Sequence, residues 1–157
     1  MPGPILVHSL DDAQVALAAA ARLGVLPTLA SAPGAAGYAG PAWFGEVIAA
    51  AQARHPDVRL HAVLDCGDAP GAVMAAIRWA RTQGRVTFDL RFTGDPRHDR
   101  PLGEMAAAAG LRLIRDLEPG LDLRTARDRD AACRDWLSGM AVGAQLGYVS
   151  FSPKKDC

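Results

Sequence analysis

Val58-Arg59-Leu60-His61-Ala62-Val63-Leu64-Asp65-Cys66-Gly67-Asp68-Ala69-Pro70 is the stretch that decides the fold. Its apolar run predicts a strand over 58–64, and the small and polar residues Asp65 to Ala69 predict a turn. Pro70 has no N–H to lose and a φ preset for the first helical position, so it opens a helix expected to reach about Gln83, where Gly84 stops it. The segment reads as one complete βα unit.

The same grammar extends in both directions. Upstream, Ile5-Leu6-Val7-His8 predicts a strand, and Ser9 is placed to cap a helix that carries Asp11 and Asp12 in its first turn. That helix is expected to run to Leu23, closed by Gly24. Leu26 to Ala30 follows as a strand, Ser31 to Gly40 as a small-residue loop, and Pro41 to about Arg54 as a helix. Downstream, Val86 to Thr93 reads as a strand made polar at Asp89 and Arg91, followed by a short helix over Leu102 to Ala109. Leu111 to Ile114 is a fifth strand, Asp116 to Arg124 a loop, and about Asp128 to Leu137 a last helix.

Strands separated by helices imply right-handed crossovers and a mainly parallel sheet. The expected class is therefore α/β with about five βα units, either half of a TIM-barrel-like architecture or an open doubly wound sheet. Residues 1–138 are expected to form this domain. Residues 139–157, apolar and then polar, are expected to add a strand or dock on a partner subunit.

At 157 residues, half of them apolar, the chain can bury an ordinary core. Seventeen basic residues balance seventeen acidic ones, so the dense positive field that nucleic acid requires is not expected. Met1-Pro2-Gly3-Pro4 lacks a basic leader pattern and no apolar run approaches about 18 residues, so the reading is a cytoplasmic protein without a membrane partner. Cys66, Cys133 and Cys157 form no CxxC pair, which points away from a disulfide framework or a zinc ribbon.

Three loop segments carry a further signal: Ser9-Leu10-Asp11-Asp12, Leu29-Ala30-Ser31-Ala32-Pro33-Gly34-Ala35-Ala36-Gly37-Tyr38-Ala39-Gly40, and Leu64-Asp65-Cys66-Gly67. Their order and spacing over residues 5 to 96 resemble the N-terminal half of the class II fructose- and tagatose-bisphosphate aldolases. The resemblance implies a metal-dependent TIM-barrel plan in which Asp65 stands where the family has an aspartate acting in proton transfer. Cys66 stands where the family has a metal-binding histidine, and Val63 replaces an earlier one. A complete barrel has eight strands, and this sequence predicts five, without the later strands that bring further metal ligands and much of the phosphate site.

In parallel sheets ligands bind at the carboxyl ends of the strands, which makes the βα loops the place to look. Asp65 is the candidate catalytic acid or base, or else, with Asp68, a cap for the following helix. Cys66, beside a helix start, is the candidate ligand for a divalent metal such as zinc, with His8, Asp65 or His98 converging on it; its alternative is a buried structural thiol. Ser31 and Gly34 lie in a loop whose bare backbone suits an anionic substrate, or simply a turn. His98, among Arg97 and Arg100, is a third substrate-binding candidate, or part of a solvated charged loop.

The expected function is that of a truncated aldolase-like protein serving as a non-catalytic oligomerising scaffold or partner-binding protein. The alternative is a protein that binds a phosphosugar or other small anion, or a metal-dependent lyase. An open five-stranded sheet exposes an edge, so a twofold homodimer pairing edges or tails is expected.

Overall fold

The computed structural model describes residues 2–146, with side chains for residues 2–139. Among the described residues six strands occur, all but β5 and β6 separated by helices: β1 (Ile5–Leu6), α1 (Leu10–Leu23), β2 (Thr28–Ala30), α2 (Ala35–Tyr38), α3 (Pro41–Arg54), β3 (His61–Asp65), α4 (Pro70–Gln83), β4 (Asp89–Arg91), α5 (Asp99–Ala108), β5 (Arg112–Ile114), β6 (Leu121–Asp122) and α6 (Arg129–Leu146). The helix punctuation follows the local chemistry. Ser9 Oγ accepts from the Asp12 N–H at 3.1 Å, and Gly24 closes α1 in the left-handed region at φ 64°.

Besides shorter strands and an α5 that starts at Asp99 instead of Leu102, three features depart from the sequence reading. A one-turn helix, α2, occupies the loop after β2, and α6 runs on through residue 138 to Leu146, past the expected domain boundary. The third departure is a sixth strand. Two residues, Leu121 and Asp122, carry no periodic signal, and they become a strand only because β1 offers them a free edge. The tail expected over 139–157 is helix as far as Leu146, and whether the remainder, 147–157, docks or adds a strand lies outside the described residues.

Among the described residues all pairings are parallel, in the order β5-β4-β3-β2-β1-β6. From β1 to β5 each crossover steps the same way, so right-handed connections place every helix on one face. The helices form a single layer in which α6 packs on α1, α1 on α3, α3 on α4 and α4 on α5. The winding is single, as in a barrel segment, and the doubly wound alternative is not adopted.

Strand alternation divides the sheet into two faces. Ile5, Leu29, Ala62, Leu64, Phe88 and Leu90 join Leu17, Phe44, Val73 and Ile77 in the helix-side core. Phe88 stacks on Trp79, with ring centroids 5.4 Å apart and planes 6° apart. Thr28, Ala30, Val63, Asp65, Asp89 and Arg91 occupy the alternate positions. Ala30 and Val63 are buried although they lie outside that core, so the second face is covered as well.

The cover is the connection from β5 to β6. It must join the two ends of the sheet with residues 115–120 alone. Five interstrand steps of ~4.8 Å put flat edges roughly 24 Å apart, about the full reach of so short a link. The sheet is therefore curled, and the link crosses its concave face as a strap. Arg91 Nε donates to the Arg115 carbonyl at 3.4 Å, and Leu121 N–H donates to the Pro4 carbonyl at 2.9 Å. Trp136 Nε1 donates to the Gly3 carbonyl at 2.9 Å and ties α6 to the start of β1.

Candidate functional site

The carboxyl ends of β2, β3 and β4 meet around Asp65, which is 4% exposed. Register sets Asp65 directly beside Arg91 on the concave face. Asp65 Oδ2 accepts from Arg91 Nη1 at 2.8 Å, and Oδ1 accepts from the backbone N–H groups of Gly34 and Gly67, each at 2.8 Å. Both glycines have positive φ, 69° and 59°, which turns their N–H groups toward the carboxylate at no Cβ cost. The Asp65 N–H in turn donates to Ser31 Oγ at 2.9 Å, whose hydroxyl donates to the Ala32 carbonyl at 3.2 Å. Asp65, Ser31, Gly34 and Arg91 thus form one network that fastens two βα loops and a neighbouring strand.

Asp65 accepts from a turn N–H and a remote loop, and it does not cap α4. Ala69 is the residue preceding α4, without a side-chain cap, and Asp68 is exposed. Cys66 has the opposite strand phase from Asp65 and is buried in the helix-side core, where its Sγ lies 3.9 Å from the Leu64 carbonyl. Burial, reinforced by the charge of Asp65, pushes its thiol up to about 12. The thiolate that binds metal or attacks an electrophile is therefore strongly disfavoured. Among the described residues no three His, Cys, Asp or Glu side chains are grouped to hold a metal ion. Cys66 in the folded protein is expected to resist iodoacetamide at neutral pH and to react only on denaturation. Mass spectrometry of labelled protein checks this, and rapid native labelling at Cys66 contradicts it.

His98 sits at the end of a single 3-10 turn, Pro96–His98, and is exposed. It is not part of the Asp65 network. The cations around it are already paired: Arg97 with Asp95 at 2.8 Å and Arg100 with Glu104 at 3.0 Å. The side-chain and backbone hydrogen bonds from Arg97 hold the Asp95 carboxyl below its ordinary range. Little free positive charge is left in this loop for an anion.

Several side chains that organise this end of the sheet carry no motif. Arg115 binds Asp99 through Nε at 3.0 Å and the Gly94 carbonyl through Nη2 at 3.0 Å, and its guanidinium lies 5.7 Å from the centre of the Phe92 ring. His8 Nε2 lies 2.7 Å from Asp122 Oδ1, joining β1 to β6. The His8 N–H donates to Asp12 Oδ2 at 2.9 Å, and Arg129 pairs with both Asp11 and Asp12. For Arg91 the sequence held one clue. Asp89 and Arg91 are spaced by two in an apolar strand, so both fall on the face opposite the core. Asp122 and Arg115 acquire their partners only through the strap.

Burial raises the Asp122 carboxyl, but the Arg124 N–H, the His8 hydrogen bond and the nearby charges outweigh it and hold the group below its ordinary range. A carboxyl depressed in the folded state contributes stability that is complete above its unfolded value of about 3.9 and disappears as pH falls through the folded value. Denaturant midpoints measured from pH 5 downward should fall less steeply for Asp122→Asn than for the native chain. Parallel curves would remove Asp122 from the acid response.

In comparisons with known proteins, no family model matches the chain, and no curated protein matches it at a significant level.

Proposed function

We propose that the chain is a non-catalytic α/β scaffold that acts by binding, with a divergent aldolase-like front end. The observation that carries this reading is the engagement of both Asp65 oxygens in hydrogen bonds within the protein. The one acid retained from the aldolase pattern is occupied by two backbone N–H groups and a guanidinium, which leaves it poorly placed to accept a substrate proton. Ser31 and Gly34 are engaged in the same network. The polar groups at the strand ends act as fasteners.

Self-association is part of the proposal. Among the described residues β5 and β6 are the two outer strands, short enough that edge pairing would have to be reinforced by side-chain contacts. Tyr38, 72% exposed at the end of α2, is an aromatic group of the kind that anchors interfaces. Light scattering over a wide concentration range is expected to show a dimer, and a monomer throughout would remove this part. Fructose and tagatose 1,6-bisphosphates, supplied with zinc, are expected to undergo no cleavage above buffer. Metal-dependent cleavage that disappears in a folded Asp65→Asn variant would overturn the non-catalytic reading.

A further inference from the structure

The strap does not lie flat on the sheet. Between it and the strands is a cavity of about 390 Å³, large enough for a small metabolite. Arg91 stands at one side. Its Nη1 serves Asp65 and its Nε the Arg115 carbonyl, while Nη2 makes no hydrogen bond among the described residues, so a guanidinium with five N–H donors keeps some to offer. Asp116 and Glu118 line the strap side. Both are exposed, and neither side chain has a salt-bridge or hydrogen-bond partner among the described residues. Pro2, Pro4 and Leu117 supply apolar wall.

The Arg91 charge is already balanced by Asp65, and that of Arg115, which Asp116 also feels, by Asp99, so the two strap carboxylates leave the cavity with an excess of negative charge. A simple anion is repelled by them, and a simple cation leaves the Arg91 donors unused. We propose that this cavity binds a small amphipathic zwitterion: a free amino acid with an apolar side chain. Its carboxylate meets Arg91 Nη2, its ammonium meets Asp116 and Glu118, and its side chain rests on the proline and leucine wall. The site lies on the concave face under the strap and is independent of the aldolase resemblance and of the non-catalytic reading.

Titration calorimetry of the full chain with leucine, 4-methylpentanoate and 3-methylbutylamine tests the assignment. Leucine is expected to bind saturably, and each analogue, lacking one charged group, about tenfold or more weakly. The double variant Asp116→Asn/Glu118→Gln changes only exposed side chains and should melt like the native chain, yet bind leucine about tenfold more weakly. Absence of saturable leucine binding overturns the proposal. So does an analogue that binds as tightly as leucine, or a folded double variant with native affinity.

Discussion

Asp65→Asn is expected to lower folding stability by about 3–5 kcal/mol, the range found when one partner of a buried ion pair is removed. The amide oxygen can still accept from Gly34 or Gly67, but the amide NH2 then faces the Arg91 guanidinium, donor against donor. The Arg91 side chain is partly exposed, so water softens the loss and the lower half of the range is favoured. Against a typical total of about 5–15 kcal/mol the effect is large. Chemical denaturation followed by circular dichroism measures it. A second variant separates fastening from mere burial: Asp65→Asn/Arg91→Gln should recover part of the loss, because the donor-facing-donor contact becomes an amide pair. A single variant within about 0.5 kcal/mol of native would show that the network contributes little and would remove the main support for the scaffold reading.

Gly120→Ala should be the other severe change. A Cβ there would come 2.4 Å from the Pro4 carbonyl oxygen and 2.5 Å from Leu6 Cδ1. The first obstacle is backbone, held by the Leu121 N–H to Pro4 hydrogen bond that starts the β1–β6 ladder. Backbone cannot swing aside as a flexible side chain does, so the strap or β6 must move. The expected cost is about 1–3 kcal/mol, the usual penalty of overpacking, together with faster hydrogen exchange at Leu121. Gly103→Ala is the control. It lies inside α5 with open space around the added methyl, and it should stabilise by about 0.5–1 kcal/mol through helix propensity. Equal and small effects of the two substitutions would mean that the strap is not a fixed part of the structure.

Much of the architecture was legible because its signals are local. Ser9, Gly24, Pro41 and Pro70 mark helix ends by what each does to its own backbone, and α1, α3 and α4 begin and end where those residues stand or within a residue or two of them. Strand extents were less legible. Val58, Phe88 and Phe92 were expected inside strands; they lie beyond the ladders of β3 and β4 yet are buried, because burial and ladder pairing are separate requirements. At the candidate site, Asp65, Ser31 and Gly34 were visible as a turn acid and its neighbouring loop, but nothing local announces that they bind one another. Arg91 and Cys66 show the same limit. One strand-phase position apart from Asp65 carries Cys66 into the apolar core, and a lateral register match brings Arg91 to the carboxylate.

By itself the sequence determined that this chain alternates strand and helix, that its sheet is parallel, and that its charge is balanced. Each follows from periodicity, capping or composition. Tertiary structure decided the single direction of winding, the recruitment of Leu121 and Asp122 as a sixth strand, and the strap that roofs the concave face. It also decided that Asp65 is held by the Gly34 and Gly67 N–H groups and by Arg91. These depend on which distant segments meet, and a hydrogen bond across 31 residues, such as that from Gly34 to Asp65, leaves no periodic trace in the chain.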